Sequence, residues 1–267
     1  MADELLIGAV AYSPNVVPIW EGMRDYFADS DAPMDFVLFS NYERQVDALL
    51  TGTVAVAWNT NVAYVRTVRR TGERCRALAM RDSDLTFRTL FVARAGSGLG
   101  DLEDLAGRRV ALGSRDSAQA RILPLHYLAE AGVDAELVLY DSDVGKHGDT
   151  GCSDLDALRA VLDDTADAAA VGITTWEALQ AGDLAPDAFE VVWTSPDYCH
   201  CNFTALDTIE EDRAEKWVTH LLAMSWDDPS HRRILEMEGL KRWVRPQLDG
   251  YRSLFTAMQR QNVADGW

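Results

Sequence analysis

Two cysteines and a histidine stand next to one another at Cys199-His200-Cys201. Thiolate and imidazole groups are ligands for iron, zinc and copper, and in a strand the two cysteines would share one face. Further ligands would have to come from elsewhere, and His147 and Cys152 are the available residues. We therefore predict a metal site of Cys199, Cys201, Cys152 and His147, with Cys152 Sγ within a side-chain length of Cys199 or Cys201. The alternative is a pair of half-buried structural cysteines on a strand.

Hydroxyl-bearing residues follow two predicted strands, at the points where helices begin. One group is Ser114-Arg115-Asp116-Ser117, and the other is the glycine-punctuated run Gly145–Ser153. The free N–H groups and the positive dipole end of a helix N-terminus attract oxyanions, and glycines let the backbone approach a ligand closely. The predicted binding residues for a small polar or anionic ligand are Ser114, Ser117, His147, Thr150 and Ser153. Plain helix caps are the alternative interpretation.

Short apolar strands alternate with amphipathic helices, which predicts an α/β fold with parallel sheets. Strands are predicted at 5–11, 36–39, 54–58, 90–93, 109–112, 137–140, 168–171 and 191–193. Helices are predicted at 16–27, from an Asn41 cap to Gly52, at 61–71, at 117–132 with a kink at Pro124, at 155–162, and throughout the stretch from Glu210 onward. We divide the chain into two lobes, 1–92 plus 196–267 and 93–195, with the ligand in a cleft between them.

The composition excludes several classes of protein. The 267 residues carry a net charge of −18, which repels nucleic acid, and no apolar run is long enough to insert into a membrane. No Ser-His-Asp order, nucleotide-binding glycine loop or His-Glu-x-x-His motif is present. The acidic N-terminus, Met1–Glu4, lacks the features of a secretory signal, which predicts a cytoplasmic protein, or a periplasmic or extracellular one if the sequence is a trimmed mature form.

Four stretches in collinear order resemble the phosphate/phosphonate-binding branch of ABC-transporter solute receptors, which have the two-lobed type II periplasmic-binding-protein fold. They are Asn41–Val46 with Gly52–Trp58, Gly96–Leu99 with Asp101–Ala111, Ser114–Ser117, and Ser153–Val161 with Ala166–Ala170. The resemblance implies a solute-binding protein that holds its ligand between the lobes and has the membrane component of an ABC transporter as its partner. It also implies further ligand-binding residues at Tyr12, Tyr42, Asn59, Asn61 and Asp197.

The segment Tyr198–Phe203 departs from such receptors. It is similar to the Cys-rich motif of the eukaryotic pyrimidine synthase of thiamin biosynthesis, a cytosolic iron-dependent enzyme with the same fold. The alternative function is therefore a cytosolic metal-dependent biosynthetic enzyme that uses the Cys199-His200-Cys201 segment. The wider match along the chain favours the solute receptor.

Overall fold

The computed structural model describes residues 4–181 and 186–266. Met1–Asp3, on which the prediction about a secretory signal was based together with Glu4, lie outside the described residues. The chain divides into two compact units. Unit 1 comprises the described residues up to Thr86, Cys199–Arg252 and those from Ala264, and unit 2 comprises Phe87–Tyr198 and Ser253–Val263. The chain thus passes from unit 1 to unit 2 between residues 86 and 87 and returns between residues 198 and 199. Sequence analysis placed these two boundaries at 92/93 and 195/196. Residues 253–263 group with unit 2, although sequence analysis placed them in the first lobe.

The secondary-structure elements alternate along most of the chain. The strands are β1 (Leu5–Val10), β2 (Met34–Phe39), β3 (Val56–Asn59), β4 (Cys75–Arg81), β5 (Thr89–Arg94), β6 (Arg109–Leu112), β7 (Glu136–Leu139), β8 (Ala168–Gly172), β9 (Phe189–Thr194), β10 (Asn202–Leu206) and β11 (Trp243–Val244). The α-helices are α1 (Val16–Phe27), α2 (Tyr42–Leu50), α3 (Asn61–Thr71), α4 (Leu123–Glu130), α5 (Cys152–Leu162), α6 (Ile173–Ala181), α7 (Glu211–Leu222), α8 (Pro229–Glu238) and α9 (Arg252–Arg260). Within the described ranges, no helix combines the length and apolar character needed to cross a membrane.

Unit 1 is built on a mixed sheet with the strand order β11-β4-β10-β3-β1-β2. Strand β1 is parallel to β2 and β3, whereas β10 is antiparallel to β3 and β4. An aromatic core covers this sheet, and Phe203 on β10 packs edge-on against Trp20 of α1 and Trp217 of α7. The predicted parallel pairing therefore holds for β1, β2 and β3 but not for β4, β10 and β11, because an apolar run shows that a strand is buried but not in which direction it runs.

Unit 2 has its own mixed sheet, with the strand order β7-β6-β8-β5-β9. Strand β6 is parallel to β7 and β8, whereas β5 is antiparallel to β8 and β9. Helix α5 packs on this sheet, and its buried side chains Ala157, Leu158 and Val161 join the apolar core of the unit. The segments after β6 and β7 and the first turn of α5 carry five of the ten predicted ligand residues: Ser114, Ser117, His147, Thr150 and Ser153.

Local sequence signals predict the start of α2 correctly, but they do not predict the form of the helical region around Pro124. Asn41 caps α2 by accepting a hydrogen bond from Arg44 N at 2.9 Å, as predicted. The predicted kinked helix at 117–132 is instead a π-helical turn, Ala118–Ile122, followed by α4, in whose first turn Pro124 lies. Proline is tolerated there because first-turn N–H groups need no intrahelical partner. The stretch after Glu210 is not wholly helical, because β11 pairs with β4.

Candidate functional site

Three hydroxyl-bearing residues of unit 2 surround one carboxylate. Ser114 follows β6, Thr150 precedes α5, and Ser153 lies in the first turn of that helix. We call Ser114, Thr150 and Ser153 the unit 2 donor cluster. Ser114 Oγ donates to Asp143, Thr150 Oγ1 donates to Asp143 Oδ2 at 2.7 Å, and Ser153 N lies 3.4 Å from the same oxygen. The fold therefore brings these predicted ligand residues together, around a residue that sequence analysis did not single out.

Ser153 is the member of this cluster whose hydroxyl is not engaged. Its side chain is fully buried, and its Oγ has no hydrogen-bond partner within the part of the chain that the structure describes. Leaving a buried hydroxyl unpaired costs free energy. This hydroxyl lies at the N-terminus of an 11-residue helix, where the dipole favours negative charge. The Ser153 hydroxyl can therefore donate one hydrogen bond to an oxyanion.

The loop before α5 is anchored by polar contacts to the turn after β6. Asp116 Oδ2 accepts from Gly145 N at 2.5 Å, and Gln119 Nε2 donates to the carbonyl oxygen of His147 at 3.3 Å. At Gly148, whose φ is +84°, an added Cβ would lie 2.5 Å from Ser117 Oγ. Ser117 itself caps the π-helical turn, because its Oγ accepts from Ala120 N at 3.1 Å. The Ser117 hydroxyl oxygen is therefore engaged in helix capping. His147, in the loop before α5, is buried and has a backbone φ of +54°.

A second buried carboxyl, Asp154, lies immediately beyond the donor cluster. Its Oδ2 accepts hydrogen bonds from Gly172 N at 2.9 Å and from Thr175 Oγ1 at 3.1 Å. Burial raises the pKa of Asp154 to about 7, and the nearby charge of Asp143 adds to the increase. The two hydrogen bonds stabilise the ionised form but do not offset the loss of water. Asp154 thus changes its protonation near neutral pH.

Polar residues at the end of β3 are held by a glutamine in unit 1. Gln45 of α2 is fully buried, and its Nε2 donates to Asn59 Oδ1 and to the Trp58 carbonyl oxygen, both at 2.8 Å. Asn59 is predicted from sequence as a ligand residue, whereas Gln45 is not. The available signal was a glutamine on the apolar side of an amphipathic helix, because such a position needs a hydrogen-bond partner.

The other predicted ligand residues make mainly structural contacts in their own units. Asn61 Nδ2 donates to the Cys199 carbonyl oxygen at 3.3 Å, and it is Thr60, not Asn61, that caps α3. Tyr42 is buried in a small apolar cluster, against which the partly buried Tyr12 packs. In unit 2, Asp197 forms an exposed ion pair with Arg88 at 2.5 Å. Their roles as ligand residues remain predictions.

The Cys-His-Cys segment adjoins a buried ion pair in unit 1. Arg81 binds both carboxylate oxygens of Asp84, at 2.6 and 2.9 Å, and His200 Nδ1 lies 3.6 Å from Asp84 Oδ1. Burial alone would raise the pKa of Asp84, but Arg81 and then His200 outweigh it and lower that pKa to about 2. Cys201 Sγ lies 3.0 Å from His200 Nδ1. Arg81 already binds both oxygens of Asp84. Ion pairing and hydrogen bonding therefore hold Arg81, Asp84, His200 and Cys201 together.

Contrary to the prediction, Cys199 and Cys201 do not lie on a strand. Residues 199–201 precede β10, which begins at Asn202, and Cys199 Sγ donates to the Gln247 carbonyl oxygen at 3.2 Å. Burial, and then the charge of Asp84, raise the pKa of the Cys199 thiol to about 11, which disfavours the thiolate needed for metal binding. Potential ligand atoms of Asp84, His200 and Cys201 lie within 4.8 Å of one another, but no such group in the described ranges includes Cys152 or Cys199. Cys152 is exposed and belongs to unit 2.

Comparison with known proteins identifies a transport family. The family described as "ABC transporter, phosphonate, periplasmic substrate-binding protein" matches residues 8–251. A relative from Prochlorococcus marinus (strain MIT 9301), the "Probable ABC transporter phosphite binding protein PhnD1", is 24% identical over 235 residues, which cover 84% of this chain and 77% of the relative. The predicted solute-binding function is thereby confirmed, whereas the alternative of a biosynthetic enzyme is without support.

Solved structures show the same fold. PhnD1 from Prochlorococcus marinus in complex with methylphosphonate has a TM-score of 0.76 and 20% identity, with 99% of this chain and 100% of that chain covered. XAC2383 from Xanthomonas citri bound to ATP has a TM-score of 0.75 and 17% identity, with 97% and 98% covered. The predicted type II periplasmic-binding-protein fold is confirmed. The cytoplasmic prediction is wrong, because the matched family consists of periplasmic components of ABC importers.

Proposed function

Because the chain belongs to the family of periplasmic substrate-binding proteins of phosphonate ABC transporters, we propose that it binds a small phosphorus oxyanion at the unit 2 donor cluster. The observation that carries this proposal is the buried Ser153 hydroxyl without a partner in the described residues. This hydroxyl lies at the N-terminus of α5, beside the hydroxyls of Ser114 and Thr150. Such a set of neutral donors and a helix dipole suits the oxygens of a phosphonate, phosphite or phosphate group.

The relatives support the chemical class of this ligand. PhnD1 is described as a phosphite-binding protein and has been crystallised with methylphosphonate, and XAC2383 has been crystallised with ATP. All three ligands present oxygens bound to phosphorus. The family role further favours delivery of the ligand to the membrane component of an ABC importer. The proposed ligand set also keeps the sequence-based residues Tyr12, Tyr42, Asn59, Asn61, Ser117, His147 and Asp197.

Isothermal titration calorimetry with methylphosphonate, phosphite, phosphate and ATP tests this proposal. We expect binding of at least one of these compounds, and we expect Ser153→Ala to weaken it about tenfold, which corresponds to the loss of one hydrogen bond to a charged group. Ser142→Ala is the matched control, because the Ser142 hydroxyl, in the loop before α5, donates to Asp156 and not to Asp143. Absence of binding to all four compounds, or equal affinities of the two variants, would contradict the proposal.

A further inference from the structure

The carboxylate of Asp143 already engages most of the unit 2 donor cluster. A serine or threonine hydroxyl has a single hydrogen to donate, and the hydrogens of Ser114 and Thr150 are both directed at Asp143. The amide of Ser153 approaches the same carboxylate at 3.4 Å. Asp143 is itself almost fully buried, with 6% of its surface exposed. The donors are therefore satisfied by an anion that belongs to the protein.

Asp143 is fixed in this position by its own backbone. Its N–H donates to Ser114 Oγ at 3.2 Å, so the backbone and the side chain of Asp143 both contact Ser114. Asp143 and Ser114 are 29 residues apart, and the contact therefore joins the loop after β7 to the turn after β6. Ser153 Oγ remains without a partner there, among the described residues, although it lies in the first turn of α5. All hydroxyls of the unit 2 donor cluster except that of Ser153 thus have a hydrogen-bond partner in the described part of the chain.

We propose that Asp143 is an internal anion that competes with the ligand for the unit 2 donor cluster and so limits the affinity of the protein for phosphorus oxyanions. An incoming phosphorus oxyanion meets like charge and donors that are already engaged, so it binds only as the Asp143 carboxylate leaves them. Ligands gain affinity only when their own oxygens replace every hydrogen bond that Asp143 gives up. This inference rests on the function proposed above, because it concerns the same hydroxyls.

The experiment compares the affinity of the wild-type protein and three variants for methylphosphonate, phosphite and phosphate by calorimetry. Asp143→Ala removes the competing carboxylate. Asp143→Asn removes its charge but keeps one oxygen, which can accept from either Ser114 or Thr150, because in the wild type these two hydroxyls donate to different carboxylate oxygens. Asp141→Asn is the matched control, because Asp141 is in the same loop but accepts from Arg115 N at 2.8 Å. We expect both Asp143 variants to bind at least one oxyanion about tenfold more tightly than wild type, and the control to bind it with unchanged affinity. Circular dichroism and thermal melting establish that each variant is folded.

Each other result overturns the inference in an identifiable way. If wild type binds an oxyanion and both Asp143 variants bind it with equal or lower affinity, Asp143 is a structural residue or an acceptor for the ligand, and the proposed function stands. If Asp141→Asn tightens binding as much as Asp143→Asn does, the gain in affinity comes from removing any negative charge in this loop and not from the contacts of Asp143. If neither the wild type nor either Asp143 variant binds any of the three oxyanions, the proposed function fails together with the inference.

Discussion

The stability of unit 2 should depend on the protonation of Asp154, and Asp154→Asn tests this. The carboxyl of Asp154 is completely buried, and it accepts hydrogen bonds from Gly172 N and Thr175 Oγ1. Burial raises its pKa from 3.8 to about 7. An asparagine at this position keeps one oxygen for the two donors but carries no charge. The substitution therefore isolates the cost of ionising a buried carboxyl.

The sign and size of the effect follow from the raised pKa. Because the folded protein holds the proton more tightly than the unfolded chain, the stability contributed by Asp154 is complete below pH 3.8 and is lost as the pH rises through about 7. Each pH unit within this window is worth about 1.4 kcal/mol. Between pH 5 and pH 8 the wild-type free energy of unfolding should thus fall by about 3 kcal/mol relative to Asp154→Asn.

Urea unfolding followed by tryptophan fluorescence measures this difference at pH 5 and pH 8. Asp163→Asn is the control, because it removes the same charge at an exposed position just after α5. We expect the difference between wild type and Asp154→Asn to change with pH, and the difference between wild type and the control to stay constant. A difference for Asp154→Asn that is the same at both pH values would refute the assignment of a raised pKa to this carboxyl.

Two further substitutions in unit 1 test its packing and its buried ion pair. Gly250→Ala should destabilise the protein by about 1–3 kcal/mol and lower its melting temperature, because the new Cβ would lie 2.2 Å from Cys199 Sγ. Gly100→Ala is the control: its new Cβ would meet no atom within 4 Å, so the melting temperature should stay unchanged. Arg81→Gln should lower the free energy of unfolding by about 3–5 kcal/mol in urea titrations at pH 7, because it leaves the Asp84 carboxylate buried without its cation. Additional replacement of Asp84 by Asn should recover part of that loss, and no recovery would show that Arg81 acts through packing alone.

Features set by neighbouring residues can be predicted from the sequence alone. The alternation of apolar strands with amphipathic helices identifies the α/β class, and Asn41 marks the start of α2 because a side-chain oxygen at a helix N-terminus satisfies a nearby N–H. The collinear motifs identify the transport family, whose match covers residues 8–251. They do not locate the protein in the cell, because that prediction relied on the first few residues and is contradicted by the family. Local patterns thus determine elements and class.

Contacts between distant segments are decided only by the tertiary structure. The hydroxyls of Ser114 and Thr150 could be predicted as donors, but the carboxylate of Asp143 that accepts from both is recognised only once the loops after β6 and β7 are adjacent. Likewise, the approach of His200 to Asp84 follows from the return of the chain into unit 1. The physical reason is that a hydrogen bond or a pKa shift depends on distance and burial in space, whereas spacing along the chain constrains only residues within the same helix or strand.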